Sequence, residues 1–386
     1  MVDIKRKIIM LPGPVDVPDD VLLAMSKPII NHRSADFHEL MASIENNART
    51  VFQTKNNVVV LSSSGTGGAE SAVFNIIRPG DKAIVPVFGE FSGRLAEQID
   101  QAGGRAIRVN APFGTAPSID QIEASIKLNN DAKSIFLVYN DTSPGTTYRM
   151  AQELGELAVK YGLFYIADSI SVLGGDELPQ DKWNMDIVIA GSQKALFTPP
   201  GLALVGVSDK VIDYVKKNRP YSTYFDYSKY VDYLSKLETP FTPALPLFYA
   251  LDVALARIVQ DGMDKRIQMH RTGAQAYYEA FKEMGLEPFV EEKLRSNVVI
   301  SIKYPPGIDD AKFRSTLEND YNLVIAGGFG EVKGKIFRIG NMGTISKNKI
   351  LPTIAAVGHS LNSLGYKNDV DKAIDRAKEI LTALAQ

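Results

Sequence analysis

Lys194 is the most unusually placed polar residue in the sequence. It follows the apolar run Asp186-Ile-Val-Ile-Ala, and the apolar residues Ala195, Leu196 and Phe197 come directly after it. Lysine is rarely buried, and a desolvated lysine loses its charge and becomes a nucleophile towards carbonyl groups. This stretch therefore predicts a reactive amine at the end of a core strand. A surface lysine in a loop is the alternative.

Asp168 ends a second apolar run, Phe164-Tyr-Ile-Ala. A carboxylate at a strand end can accept hydrogen bonds from a ligand and neutralise a ligand cation. Aspartate at such a position also serves as a helix N-cap or as a member of a structural ion pair, and both alternatives remain open.

Ser62-Ser-Ser-Gly-Thr-Gly-Gly68 separates an apolar run from a helix-like segment. Backbone N–H groups at a helix start, with hydroxyl groups beside them, suit a phosphate. The dinucleotide-binding fingerprint is incomplete, because Glu70 stands where its third glycine belongs, and the lysine of a P-loop is absent. A flexible turn is the alternative to a phosphate site.

Arg338 lies inside the apolar segment Lys335-Ile-Phe-Arg-Ile-Gly340. A buried guanidinium needs a partner, and the carboxylate of a substrate is a good one because the two groups form paired hydrogen bonds. An internal salt bridge is the alternative.

Together, these residues match the requirements of pyridoxal 5′-phosphate. A lysine links to its aldehyde, an acid keeps its pyridine nitrogen protonated, and a Gly/Ser loop holds its phosphate. The combination is more specific than any of its members, because all of them follow apolar runs in a consistent order along the chain.

Apolar strands alternate with helices up to about residue 207, which predicts an α/β fold with a mostly parallel sheet covered on both faces. The predicted strands are 58–61, 82–87, 105–109, 134–139, 163–168, 186–190 and 202–207. Because ligands bind at the carboxyl ends of such strands, the polar stretches after them should meet. Residues 221–233 are rich in tyrosine and predicted to be irregular.

The domain organisation predicted from these patterns is an N-terminal segment, 1–17, a large cofactor-binding domain, 18–261, and a smaller α+β domain, 262–386. A chain of 386 residues is long enough for two such domains.

Composition excludes several classes of function. The formal net charge of −2 gives no reason to expect nucleic acid or an anionic membrane as a partner. The N-terminal residues do not resemble a signal peptide, and we expect a cytoplasmic protein. The chain has no cysteine, which removes disulfides and thiolate chemistry, and its four histidines are scattered, so no metal site is expected.

Seven motifs resemble the class V aminotransferases of the fold-type-I pyridoxal-phosphate enzymes, in their alanine–glyoxylate and serine–glyoxylate (serine–pyruvate) branch. The resemblance extends from about residue 11 to residue 343. The motifs are LPGP at 11–14, SSSGTGGAE at 62–70, NDTSPG at 140–145, ADSISVLGG at 167–175, GSQKAL at 191–196, TPFTPALP at 239–246 and FRIG at 337–340.

The resemblance implies a role for each matching residue. Lys194 would be the Schiff-base lysine and proton shuttle, Asp168 the partner of the pyridine nitrogen, and Arg338, with Gly13, the site of the substrate. Further cofactor contacts would come from Ser64, Gly65, Thr66, Phe91, Thr142 and Gln193, and from Thr239 and Thr242 of a neighbouring subunit. The last two positions imply a homodimer whose active site lies at the subunit interface.

Some positions depart from the family pattern. Phe91 stands where animal alanine–glyoxylate enzymes have tryptophan, so the stacking face is kept but an N–H donor is lost. Thr239 replaces a longer tyrosine, and Pro144 removes a backbone donor. The loop Asn31-His32-Arg33-Ser34 is similar to a loop near the substrate entrance of serine–glyoxylate members, with an ordinary surface loop as the alternative.

The resemblance implies an aminotransferase that moves the amino group of alanine or serine to glyoxylate or pyruvate by a ping-pong mechanism. Another pyridoxal-phosphate reaction, such as that of a lyase or a decarboxylase, is the main alternative. Cysteine desulfuration is excluded because the chain has no cysteine. The incomplete fingerprint disfavours a dehydrogenase, and the intact lysine, aspartate and arginine disfavour a non-enzymatic role.

Overall fold

A seven-stranded sheet forms the centre of the larger part of the computed structural model, which describes residues 7–382. Six strands run parallel, and Ala203–Val207 is antiparallel to both of its neighbours. From one edge to the other the strands are Asn57–Leu61, Ala203–Val207, Ile187–Gly191, Phe164–Asp168, Ser134–Val138, Lys82–Val87 and Arg105–Asn110. The predicted α/β fold with a mostly parallel sheet is confirmed.

The central strands are buried almost throughout, because helices pack against both faces of the sheet. The helices of this part are Asp19–Ala24, Ala35–Phe52, Gly65–Ile76, Glu90–Gln101, Ile119–Leu128, Ala151–Tyr161, Asp209–Lys217, Tyr227–Leu234 and Leu245–Asp261. None of the helices in residues 7–382 has the length and apolarity needed to span a bilayer.

Sheet register brings the ends of several strands together. Val138 pairs with Asp168, Asp168 pairs with Ile189, and Gly191 and Leu61 both lie opposite Ala203. The segments that follow Leu61, Val138, Asp168 and Gly191 therefore emerge along one edge of the sheet. This edge carries the polar stretches predicted to meet.

A second hydrophobic core lies in the C-terminal part of the described chain. A three-stranded antiparallel sheet, in the order Val299–Lys303, Ile336–Gly340 and Ala326–Gly327, packs there with helices. The helices are Met263–Glu283, Asp310–Tyr321, Lys347–Ser363 and Val370–Leu381. Short paired strands join Ile8–Ile9 to Leu323–Val324 and Asn140–Asp141 to Thr146–Thr147.

The predicted domain limits, 1–17, 18–261 and 262–386, stay a prediction. Residues 1–6 of the first segment and 383–386 of the last lie outside the described residues. Gly262, at the predicted boundary, has φ +81° and separates the helix Leu245–Asp261 from the helix that begins at Met263.

One prediction was wrong. Residues 221–233 were expected to be irregular, but Tyr227–Leu234 form a helix. The Asp226 carboxylate accepts a hydrogen bond from the N–H of Ser228 and caps the helix. Tyr227, Tyr230 and Leu234 are buried at helical spacing, so packing overrides the local tyrosine-rich composition.

Candidate active site

A cavity of about 720 Å³, partly open to solvent, lies at the carboxyl edge of the sheet. Eight residues predicted from the sequence line it: Ser64, Gly65, Thr66, Phe91, Thr142, Asp168, Gln193 and Lys194. They come from five separate chain segments, which the sheet register and the adjoining helices bring together. The cavity is therefore the place where the predicted chemistry would occur.

Lys194 lies in a tight turn after the strand Ile187–Gly191, and its carbonyl accepts a hydrogen bond from the N–H of Phe197. Its Nζ donates to the carbonyl oxygen of Pro12 at 2.5 Å. A Cβ atom on Gly13 would stand 2.5 Å from Nζ, so glycine is needed there to leave room for the amine. Burial, assisted by the charge of Arg338, lowers the pKa of Lys194 to about 8.

Asp168 ends the strand Phe164–Asp168, and its Oδ1 accepts a hydrogen bond from the N–H of Ile170 at 3.0 Å. Burial raises the pKa of the carboxyl group to about 7, Asp141 adds to the rise, and the Ile170 hydrogen bond and Lys194 oppose it. Within residues 7–382 no basic side chain forms an ion pair with Asp168. A ligand cation would stabilise the ionised form of this enclosed carboxylate.

The start of the helix Gly65–Ile76 also lines the cavity. Ser64 caps this helix by accepting a hydrogen bond from the N–H of Gly67 at 3.2 Å. A Cβ atom on Gly65 would lie 2.9 Å from Ile170, so the close approach requires glycine. The Oε1 atom of Gln193 is buried and has no hydrogen-bond partner among the described residues. The first helical N–H groups fit a phosphate.

Arg338 reaches the site from the small antiparallel sheet. Its Nε donates to the carbonyl of Gly327 at 2.8 Å, and its Nη1 donates to the carbonyl of Thr142 at 2.6 Å. Burial lowers its pKa to about 10, and the charge of Asp141 opposes the shift. In residues 7–382 no acidic side chain forms an ion pair with Arg338. The described residues therefore do not contain the internal salt bridge that was the alternative to substrate binding.

Asp141 does not neutralise Arg338 because its oxygens are already engaged. One oxygen accepts from the N–H and the hydroxyl of Ser92, and the other accepts from the N–H and the hydroxyl of Ser143. The guanidinium therefore remains available to an external carboxylate, the ligand for which its paired donors are suited.

Phe91 lies in the first turn of the helix Glu90–Gln101 and lines the cavity with its ring. The guanidinium of Arg94 lies 5.0 Å from the centroid of that ring, and Phe329 packs against it at 6.3 Å. Arg94 and Gln98 also line the cavity but were not predicted. Their helical spacing from Phe91 was the available signal, since residues three and seven apart share a helix face.

Asn140, Ile170 and Ser171 were given no individual role, although they belong to the polar stretches predicted to meet, and they line the cavity. The Nδ2 group of Asn140 donates to the hydroxyl of Ser171 at 2.8 Å, which ties together the segments that follow two neighbouring strands. All three residues stand in the motifs NDTSPG and ADSISVLGG, so the motifs contained the signal. Their side-chain contacts could not be inferred without the fold.

The structure does not bring Thr239 and Thr242 to the cavity of their own chain. The hydroxyl of Thr239 donates to the carbonyl of Phe241, and Thr242 is exposed. Arg33 also lies elsewhere, because its Nη1 donates to the carbonyl of Thr239 at 2.7 Å and pairs with Glu238 at 3.0 Å. The loop 31–34 thus supports the segment that contains Thr239.

Comparison with known proteins identifies the relatives of the chain. The family described as Aminotransferase class-V matches residues 24–333. An uncharacterized aminotransferase of Methanocaldococcus jannaschii is 39% identical, with 98% of this chain and 99% of the relative covered. The alanine–glyoxylate aminotransferase of Drosophila melanogaster is 31% identical, with 96% of each chain covered.

A solved structure is also similar over the full length. The ureidoglycine–glyoxylate aminotransferase of Bacillus subtilis superposes with a TM-score of 0.93 at 29% identity, and the alignment covers 99% of each chain. The similarity therefore includes both the sheet that carries Lys194 and the C-terminal part that carries Arg338.

Proposed function

The chain belongs to the class V aminotransferases, and from that premise we propose that it transfers the amino group of alanine or serine to glyoxylate or pyruvate. It is a pyridoxal-phosphate-dependent aminotransferase of fold type I. The observation that carries the proposed substrate class is Arg338, a partly buried guanidinium that forms no ion pair with an acidic side chain of the described chain and is close enough to Lys194 to lower its pKa.

The lining of the cavity fits the cofactor. Ser64, Gly65 and Thr66 would hold the phosphate at the helix start, and Gln193, which also lines the cavity, would add a contact through its Nε2 donor. Thr142 and Phe91 would hold the ring. When bound, pyridoxal phosphate supplies an electron sink for negative charge that develops at the substrate Cα.

Lys194 is the proton carrier in the proposed reaction. Its Nζ lies at the end of a side chain that enters the cavity, and its lowered pKa allows the amine to hold or release a proton near neutral pH. Asp168 acts at the far end of the cofactor site. Its carboxylate holds the proton on the pyridine nitrogen by pairing with the positive charge created there.

Arg338 binds the carboxylate of the amino acid and orients the substrate. Two of its donors are fixed by the carbonyls of Gly327 and Thr142, so the remaining donors are held in place before the substrate arrives. A fixed guanidinium sets the direction in which the Cα–H bond points relative to Lys194, and such positioning contributes to rate. Gly13 provides the space in which the amine of Lys194 moves.

A cytoplasmic homodimer is part of the proposal. Thr239 and Thr242 do not line the cavity of their own chain, and a second copy would bring them to it from outside. The exposed apolar side chains Leu22, Leu23 and Ile29, which are close together in the sequence, suit burial in an interface. Arg33 then supports this contact by holding the carbonyl of Thr239.

Glyoxylate is supported as the acceptor because both the fly and the Bacillus relatives carry it in their names. Their donors differ, alanine in one and ureidoglycine in the other, so the proposal of alanine or serine as donor rests on the sequence resemblance to the alanine–glyoxylate and serine–glyoxylate branch. A lyase or decarboxylase reaction on the same scaffold remains the alternative, and it predicts different products.

Half-reactions test the proposed function. The loaded enzyme is mixed with L-alanine, L-serine or L-aspartate without an acceptor, and absorbance and products are followed. We expect alanine or serine to convert the cofactor to pyridoxamine phosphate with one equivalent of 2-oxo acid, and glyoxylate or pyruvate to reverse the change. Release of ammonia or carbon dioxide without pyridoxamine phosphate would establish the lyase or decarboxylase alternative.

Cofactor uptake by the apoprotein should depend on pH in a defined direction. Lys194 reacts as the neutral amine, and its lowered pKa makes that form abundant above about pH 8 instead of above about pH 10. Asp168 pairs with the pyridine nitrogen as the carboxylate, which predominates above its pKa of about 7. We therefore expect the uptake rate, followed by visible absorbance, to rise with pH and level off near about pH 9. A rise confined to pH values above about 10 would contradict the lowered pKa of Lys194.

A further inference from the structure

Arg266 is a buried arginine that the proposed chemistry does not use. It lies in the first turn of the helix Met263–Glu283, and 4% of its surface is exposed. A cation there is opposed by the positive end of the helix dipole. Burial lowers its pKa, and its acidic neighbour, Asp261, is a partly exposed side chain 3.3 Å away. Local structure therefore gives little reason for an arginine at this position.

The guanidinium of Arg266 instead donates to three backbone carbonyls from distant parts of the chain. Its Nε donates to Gly174 at 3.2 Å, and its Nη2 donates to Ala195 at 3.2 Å and to Gly343 at 3.3 Å. Gly174 and Gly343 have positive φ angles, of +88° and +82°, which most side chains would disfavour. Two turns that depend on glycine thus present their carbonyls to one side chain.

Each of these carbonyls belongs to a segment that carries a proposed site residue. Gly174 follows Asp168 in the motif ADSISVLGG, and Ala195 directly follows Lys194. Gly343 lies in the segment that follows the strand Ile336–Gly340, which contains Arg338. One planar guanidinium therefore connects the segments of the acid, the lysine and the substrate-binding arginine.

The contact with Phe197 adds a second constraint on Lys194. The guanidinium carbon of Arg266 lies 4.9 Å from the centroid of the Phe197 ring. Phe197 has φ +37°, an uncommon conformation for a residue other than glycine. Its N–H donates a hydrogen bond to the carbonyl of Lys194 and so forms the turn. Arg266 therefore supports both ends of the turn that contains Lys194.

We propose that Arg266 is a positioning residue for the aminotransferase reaction. It fixes the position of the turn that contains Lys194 relative to the segments that contain Asp168 and Arg338. It touches neither the substrate nor the cofactor. Its planar group with five N–H donors is what makes three simultaneous carbonyl contacts possible, and a lysine could not reproduce them. The inference rests on the proposed roles of Lys194, Asp168 and Arg338.

The variants Arg266→Lys and Arg266→Met test the proposal. Arg266→Lys keeps the positive charge but loses the planar set of guanidinium donors. Arg266→Met keeps much of the apolar stem but loses the charge and the donors. We expect kcat to fall roughly 10- to 100-fold in both variants, with a smaller change in KM, because displacement of a reacting group by about 1 Å can lower the rate 100-fold. Arg266→Lys should not restore kcat, which distinguishes geometry from charge.

Two readouts report on Lys194 directly. With α-deuterated alanine, the kinetic isotope effect on the half-reaction should increase in both variants, because proton transfer by Lys194 becomes more rate-limiting. Without substrate, the pH midpoint of the visible absorbance of the loaded enzyme should shift, since the lysine-linked cofactor is held differently. A purely structural role would change neither readout, although it could lower the thermal unfolding midpoint.

Matched controls come from neighbouring residues. Arg257→Met removes a second guanidinium near Phe197, 5.7 Å from its centroid, which is partly exposed and pairs with Asp20. Asp261→Asn removes the acidic neighbour of Arg266 and leaves its three carbonyl contacts. Both controls should keep the wild-type isotope effect and pH midpoint.

Unchanged kcat, isotope effect and pH midpoint in Arg266→Lys would overturn the proposal. A loss of thermal stability with an unchanged isotope effect would also overturn it, since Arg266 would then act on folding alone. If Arg266→Met fails to fold, Arg266→Lys decides the question. The pH midpoint is measured without substrate, so the role of Arg266 can be judged even if the wild-type enzyme fails to transaminate alanine or serine.

Discussion

Replacing Lys194 by alanine is expected to abolish the visible absorbance of lysine-bound cofactor and to lower kcat by roughly 10⁴-fold, the upper end of what one positioned proton carrier contributes. The cavity offers no obvious replacement. Among the described residues that line it, Arg94 is the other basic side chain, and its guanidinium lies over the Phe91 ring. Absorbance spectra of the loaded variant and single-turnover kinetics with alanine measure the two effects.

Lys182→Ala provides the control for this experiment, because Lys182 is an exposed lysine outside the cavity. Its spectrum and kcat should match those of the wild type. If Lys194→Ala kept the visible absorbance and a normal kcat, the assignment of Lys194 would be wrong. Cofactor content, measured after denaturation, separates a lost linkage from lost binding.

Replacing Arg338 by alanine is expected to lower kcat/KM for amino acids by roughly 100-fold, mainly through a higher KM. Charge-assisted, paired hydrogen bonds to a carboxylate contribute about 3 kcal/mol, which corresponds to that factor. Cofactor affinity should change little, because Arg338 approaches the site through the carbonyls of Thr142 and Gly327 and is not part of the cavity lining. Steady-state kinetics and equilibrium cofactor titration measure the two quantities.

Two controls separate substrate binding from structural damage by the Arg338 substitution. Arg338→Lys keeps a cation but cannot form the paired geometry, so it should recover only part of the lost kcat/KM. An amine that lacks a carboxylate should react equally slowly with the wild type and with Arg338→Ala. A uniform loss for both kinds of substrate, or an unchanged KM for alanine, would remove Arg338 from the substrate site.

The mostly parallel sheet and the edge at which the cavity lies followed from sequence patterns with a simple physical origin. Strands buried on both faces must be apolar, so polar residues directly after them, such as Asp168 and Lys194, stand out. The parallel arrangement then places those residues along one edge. The helix Tyr227–Leu234 escaped prediction because two of its three buried positions are tyrosines, and the partly exposed Tyr233 obscures the apolar spacing.

Long-range contacts were the part that sequence patterns could not supply. Arg33 looked like a residue of the substrate entrance, but its partners are Glu238 and the carbonyl of Thr239, which are far away along the chain. Arg94 lines the cavity because the helix Glu90–Gln101 presents one face to it, and no motif marked that face. Both outcomes depend on how helices and loops pack against the sheet.

By itself, the sequence determined the class of fold and the cofactor, and it predicted which lysine, aspartate and arginine would serve that cofactor, because buried strands and cofactor chemistry restrict residue types at each position. Only the tertiary structure decided that Asp141 is occupied by Ser92 and Ser143, which leaves Arg338 free for a carboxylate. Only the tertiary structure also placed the Arg266 guanidinium among the carbonyls that follow Asp168 and Lys194. Hydrogen bonds to backbone carbonyls depend on distance and direction and leave no pattern of side-chain types along the chain.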